Sequence, residues 1–235
     1  MDISRAQGIN CVYSYLRNVR QIGYSFVHAL ICSVHNNKVI ISYGDWAANK
    51  IKVLKDGIKA GMSVAEMAKI IGDVYGYIPL QRINFSFSGV QANADRNVFA
   101  RPLNKTDYAA YLDFFKACNP GCEDVLWTED YFLKSVDTGF WQGVWADGAL
   151  VSVAEVPDMP FMADEAQEVG ISTLPWYRGN GYARAACSAM LKRLIDSGIC
   201  PMWSTSAENA ASVRLAESVG FKTLSNEVIL TNANV

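Results

Sequence analysis

The segment Trp176–Ala186, WYRGNGYARAA, sets Gly179 and Gly181 behind Arg178 and runs straight into a helix-forming stretch. A glycine loop that feeds a helix N-terminus is an anion site. The N–H groups of the first turn have no intrahelical acceptor, the helix dipole adds partial positive charge, and glycine lets a ligand approach the backbone. Phosphate chemistry follows, and several phosphate-bearing ligands compete for it. A dinucleotide fingerprint needs a third glycine where Arg184 stands, and a Walker loop needs a lysine that this loop lacks.

Other reactive side chains are few. The two histidines, His28 and His35, both lie in the first forty residues, which leaves little material for a Ser-His-Asp triad or a histidine-rich metal site. His28, inside YSFVHALICSV, reads as a hydrogen-bonded core residue. The six cysteines lack the paired spacing of a zinc site; the CNPGC of Cys118–Cys122 reads as two loop thiols. No metal is expected. No run of 18 apolar residues occurs and the N-terminus lacks the order of a signal peptide, so a cytoplasmic location away from membranes is expected.

The elements that position the loop can be read from pattern. Residues 1–94 suggest an accessory α/β domain: an N-terminal helix, a hairpin of ALICSV and KVIISYG around Asn36 and Asn37, a helix over DWAANKIKVLKDGIKAG, a second helix over SVAEMAKIIGDVYG opened by a Ser63/Glu66 capping box, and the strand RINFSFS. The stretch GMSVAEMAKIIG also looks like the first helix of a helix-turn-helix. Pro79 and a strand-like alternation follow it, so no recognition helix is available and nucleic acid is not expected as a partner. After the small and polar SGVQANADRN, residues 95–235 read β-α-α-β-β-β-α-β-α-β, with Tyr108, Leu112 and Phe115 as the spaced face of the first helix.

Two further spacings join the loop. Arg178, Gly181 and Ala183 make R-x-x-G-x-A after a strand, and Asn209, Ser212, Leu215, Gly220 and Phe221 make N-x-x-S-x-x-L-x-x-x-x-G-F. Together, and with the opening ARPLNKTDY, they resemble the GNAT superfamily of acetyl-CoA-dependent N-acetyltransferases over about residues 96–235. The resemblance implies an α/β (α+β) fold: a mixed, mostly antiparallel sheet flanked by helices, beside the smaller N-terminal domain. It also implies that the backbone of Arg178, Gly179, Asn180, Gly181, Tyr182 and Ala183 holds the coenzyme A pyrophosphate. The strand edge at Ile171, Ser172 and Thr173 would pair with the pantetheine amides and orient the acetyl carbonyl, and Asn209 and Ser212 would reach the pantetheine or thiol end.

Acetyl transfer to an amine needs a base for the amine, polarisation of the carbonyl and a proton for the leaving thiolate. The resemblance implies direct attack in a ternary complex and often a glutamate on the strand before the loop. Gln167 stands at that position, so Glu165, on the same face by period two, is the first candidate base and Glu155 on the neighbouring strand the second. Family members often carry a tyrosine after the leucine of the Asn helix, and Ala216 stands there. Ser212, Tyr182, Ser218 or water remain as proton donors. The acids Asp158, Asp164, Glu165 and Glu168 suggest a cationic acceptor, either a small-molecule amine or a lysine side chain. Charge agrees: ten basic and five acidic residues precede position 95, against eleven and eighteen from that position onward. The N-terminal domain would cover the acceptor site or form a homodimer surface. Alternatives are a catalytically weakened acyl-CoA-binding or sensing module, and a DNA-binding regulator carrying such a module.

Overall fold

The computed structural model describes residues 8–20, 26–89, 98–157 and 165–232. In chain order it has β1 (Ile9–Tyr13), β2 (Val27–His35), β3 (Lys38–Tyr43), α1 (Asp45–Ala48), α2 (Ile51–Gly57), α3 (Val64–Tyr75), β4 (Leu80–Phe87) and β5 (Ala100–Pro102). Then come α4 (Tyr108–Cys118), α5 (Trp127–Val136), β6 (Gln142–Ala146), β7 (Ala149–Glu155), β8 (Ala166–Glu168), β9 (Gly170–Thr173), α6 (Tyr182–Asp196), β10 (Cys200–Ser206), α7 (Ala210–Ser218) and β11 (Phe221–Asn232). Short 3-10 turns cover Tyr15–Asn18, Lys105–Asp107 and Pro175–Tyr177. The fold is mixed α/β with mostly antiparallel pairing, and among the described residues no helix is long and apolar enough to cross a membrane.

Contacts divide the chain into two compact units, Met1–Phe85 with Ser204–Ala210 and Thr223–Val235, and Ser86–Trp203 with Ala211–Lys222. This interleaving differs from a single cut at 94/95, a point that itself lies outside the described residues. The reason is long-range pairing: Asn226–Asn232 of β11 lie antiparallel to β2, which no local pattern announces.

In the first unit β3 pairs with both β1 and β2, and β11 lies beside β2. The expected N-terminal helix is instead β1, parallel to β3, which packs Ile9 and Cys11 against the core. The β2–β3 hairpin turns on Asn36 and Asn37, both at positive φ (47° and 61°), the backbone a two-residue hairpin requires and asparagine tolerates. Leu30, Cys32, Ile41, Val228 and Leu230 form one sheet face, covered by Leu54 of α2 and Met67 and Ile71 of α3. The single helix expected over 45–61 is two, α1 and α2, interrupted at Asn49, a poor helix-interior residue. The capping box of α3 is formed: Glu66 N–H donates to Ser63 Oγ (3.2 Å) and Ser63 N–H to Glu66 Oε2 (2.8 Å).

In the second unit β5, β6, β7 and β9 make an antiparallel sheet in that order. β6 and β7 are joined through Asp147 (φ 50°) and Gly148 (φ 79°), the turn that ADG predicts. α6 packs across this sheet through Ala186, Met190 and Leu194, all fully buried. α4 buries Tyr111 and Phe114 rather than the expected Tyr108, Leu112 and Phe115, which are half-buried. Tyr111 sets that phase by stacking on Phe132 (centroids 4.6 Å) and meeting Trp141 (5.5 Å).

Candidate functional site

The segment 166–174 is predicted as one strand and is two. β8 pairs in parallel with β10 from Ala166↔Cys200 to Glu168↔Met202, and Val169 N–H donates to Met202 O at 2.8 Å. Beyond Val169 the chain leaves β10. Among the described residues β9 pairs with β7 alone, from Glu155↔Gly170 to Ser152↔Thr173, and is the last strand of its sheet.

Alternation of hydrogen bonds decides which groups face the gap so opened. Leu174 N–H donates to Val151 O (3.0 Å) and Ser152 Oγ donates to Ser172 O (3.1 Å), so Ser172 and Leu174 direct their amides toward β7. Ile171 and Thr173 therefore present N–H and C=O on the opposite edge. Thr173 O is met there by Arg178 Nε (3.2 Å). Of the three residues expected to offer a strand edge, Ile171 and Thr173 do so by their main chain, and Ser172 points its main chain inward.

The loop after β9 is built as its sequence requires. Pro175 starts a 3-10 turn, Gly179 (φ 82°) and Gly181 (φ 80°) take left-handed backbone, and Gly181 caps α6 without a side-chain bond. The first helical hydrogen bond is Ala185 N–H to Gly181 O (3.0 Å), so the N–H groups of Tyr182, Ala183 and Arg184 have no intrahelical acceptor. No acidic residue lies in that first turn, and a Cβ at Gly179 would meet nothing within 4 Å. The loop thus offers its backbone to an approaching anion. Asn180 Nδ2 braces it by donating to Tyr177 O (3.2 Å), and the Tyr177 hydroxyl donates to Asp147 (3.1 Å). Asn180 and Tyr182 also line a cavity of about 580 Å³, where Arg101 stacks on Trp145 at 3.7 Å and binds both Asp107 oxygens (2.7 and 2.8 Å).

The two candidate bases sit in different surroundings. Glu165 is an exposed turn residue before β8, its carbonyl accepting from Cys200 N–H (2.9 Å). Glu155 ends β7 opposite Gly170, where a Cβ would come within 2.9 Å of Glu155 Cγ, so glycine there makes its room. Burial pushes the Glu155 carboxyl up to about 7. Its field reaches two α4 side chains: Tyr111, raised by burial and then by Glu155, and Cys118, raised by burial, lowered by Arg178 and raised by Glu155. Sequence reasoning passed over Tyr111, which lies over forty residues from Glu155 and carries no motif. Trp141, fully buried beside it, has an Nε1–H without a hydrogen-bond partner among the described residues.

Ser212 lies on α7, its Oγ accepting from Trp203 Nε1 (3.1 Å), and Ala216 is fully buried. Asn209 stands immediately before α7 and donates its N–H to Ser206 O (3.0 Å); it belongs by contacts to the first unit. Of the acidic cluster, Asp158 and Asp164 lie outside the described residues, and Glu168 is half-buried on β8.

Comparison with known proteins adds the following. A family model described as GNAT acetyltransferase matches residues 129–228. A Bacillus subtilis protein named uncharacterized N-acetyltransferase YdfB is 33% identical over 69 residues, 29% of this chain and 26% of its own length. Among solved structures, a GNAT-family acetyltransferase from Colwellia psychrerythraea superposes with a TM-score of 0.54 at 17% identity, covering 65% of this chain and 56% of its own. A GCN5-related N-acetyltransferase from Sphaerobacter thermophilus does so with a TM-score of 0.56 at 15% identity, covering 71% and 56%. At such identities the likeness is one of fold. This chain spans about a quarter of the curated relative and just over half of these two structures.

Proposed function

We propose, on the premise that residues 129–228 belong to the GNAT acetyltransferase family, that the chain transfers an acetyl group from acetyl-CoA to a primary amine by direct attack in a ternary complex. The observation that carries this reading is the parting of β9 from β10 just before a glycine loop at a helix N-terminus. An open strand edge takes an amide-bearing arm as it would take a peptide, and the loop takes the pyrophosphate at the end of that arm. Acetyl-CoA supplies the acyl group as a thioester.

The remaining work falls to this chain. Ile171 and Thr173 hold the arm by main-chain bonds and fix the thioester carbonyl beside Glu155, which shares their sheet. N–H groups from Gly179 to Arg184 hold the pyrophosphate. Glu155 is the base: burial raises its carboxyl to about 7, near the pH at which a general base works best. Glu165 is left to attract a cationic acceptor, a small-molecule amine or a lysine side chain. Ser212 serves the thiol end as hydrogen-bond partner of the leaving thiolate.

Thiol release from acetyl-CoA, followed with a panel of amines, tests the proposal. Amine-dependent release that Glu155→Gln suppresses supports it. Tight acetyl-CoA binding without release for any amine would favour an acyl-CoA-sensing module, a role consistent with the buried Ala216.

A further inference from the structure

In the first unit the end of α3 leads into an apolar projection. Gly76 stops the helix in left-handed backbone (φ 76°), and the chain turns back along α3 as Tyr77, Ile78, Pro79 and Leu80. A Cβ at Gly72 would lie 3.0 Å from Tyr77 O and 3.4 Å from Pro79 Cδ, so glycine there lets the turn settle on the helix. Trp46 braces the other side, stacking on Tyr75 (centroids 5.2 Å) and meeting Tyr77 edge-on (5.7 Å). Pro79 restricts Ile78 to extended backbone. On this braced turn Ile78 is 96% exposed, and Tyr77 and Leu80 are about half exposed. A held isoleucine in water gains from burial and gives up little freedom to reach it.

Beside that knob lies a groove of about 440 Å³ between the turn and α3, lined on the helix side by Ala65, Ala68 and Gly72. Knob and groove therefore share one surface. Lys69 and Asp73 line the same groove one helical turn apart; they pair with each other at 2.6 Å and still keep 76% and 67% of their side chains exposed. A patch with its own knob, its own groove and one charge of each sign is complementary to itself. Two-fold symmetry brings residue i of one copy to residue j of the other, and j to i. Antiparallel α3 helices then set Lys69 against the partner's Asp73 and Asp73 against the partner's Lys69, while each Ile78 enters the other copy's groove.

We infer that this surface is a self-association site, through which two copies of the chain pair about a two-fold axis. An unrelated apolar segment could fill the groove; a second copy answers the knob, the groove and both charges at once. The exposed apolar patch is on the order of a few hundred Å² per copy, below the roughly 800 Å² per partner of a standard interface. The dimer is therefore a reversible one that concentration controls. The surface lies wholly in the first unit and stands apart from the acetyl-transfer reading.

The test is sedimentation equilibrium of the full chain over a range of concentrations at low salt. Wild type should show a reversible monomer–dimer equilibrium. Ile78→Asp should weaken it about thirtyfold or more, as loss of a central apolar anchor does. Leu126→Asp, at a leucine 89% exposed outside this groove, should leave it unchanged. The charges give a sharper reading. Lys69→Asp sets acid against acid at both contacts and Asp73→Lys sets base against base, so each variant alone should associate about tenfold more weakly. Mixed one to one, the two variants restore both opposite pairs and should associate as tightly as wild type. All four substitutions fall on exposed side chains, and circular dichroism checks each fold. A wild type that stays monomeric, a dimer that Ile78→Asp leaves intact or Leu126→Asp abolishes, or a mixture as weak as its parts would each overturn the inference. A failed thiol-release assay would leave this result untouched.

Discussion

Replacing Glu155 by Gln should make the protein more stable at alkaline pH while lowering its activity. The carboxyl rises from an ordinary 4.5 to about 7 because β7, Gly170 and α4 enclose it. A folded pKa above the unfolded one favours the fold while the group is protonated, and that contribution is lost as pH climbs from about 4.5 through 7. At about 1.4 kcal/mol per unit, wild type gives up roughly 3 kcal/mol between pH 4.5 and pH 8, and the Gln variant does not. The buried amide carries its own cost, which is the same at both pH values and cancels in the comparison. Urea unfolding of both proteins at pH 4.5 and pH 8 reads the difference. A stability change that is the same at both pH values would refute the enclosure of Glu155 and, with it, its poise as a base. In the rate profile, wild-type kcat/KM should rise with pH around 7. The variant should lose that limb and fall by a factor of about 10² to 10⁴, the usual contribution of a general base.

Ile171→Pro should weaken acetyl-CoA binding about tenfold with the fold intact, since the lost N–H lies on the open edge, whereas Ser172→Pro removes a rung shared with β7 and should cost about 3 kcal/mol or more; calorimetry and thermal melts separate the two. Gly143→Ala should destabilise by about 1–3 kcal/mol, because its Cβ would lie 2.7 Å from Leu103 Cδ2 and from the Trp145 ring; equal melting temperatures would show that this contact relaxes freely. Ser63→Ala should cost about 1 kcal/mol through loss of the α3 cap, measured by urea unfolding, and no change would deny the capping box any share in stability.

Local chemistry carried far in this chain. Ser63 and Glu66 announced a helix start, Asn36–Asn37 and Asp147–Gly148 announced hairpins, and two glycines before Tyr182 announced the loop, because each is a contact between near neighbours. What pattern missed depends on residues distant in sequence. β1 looked helical until β3 paired with it, and β11 joined the first unit because its partner is β2. The phase of α4 was set by Phe132 and Trp141 rather than by its own spacing. The same limit applied at the site. Period two along one strand favoured Glu165, but only the register of β7 against β9 shows that Glu155 is the enclosed carboxyl.

Binding of acetyl-CoA to the full chain, wild type against Gly181→Glu, tests the central claim most directly. Gly181 takes φ 80° and caps α6, so glutamate there strains the backbone and sets a negative charge against the proposed pyrophosphate seat. Calorimetry should show saturable binding by wild type and none by a folded variant. Equal binding by the two proteins would contradict the placement of the pyrophosphate at this loop.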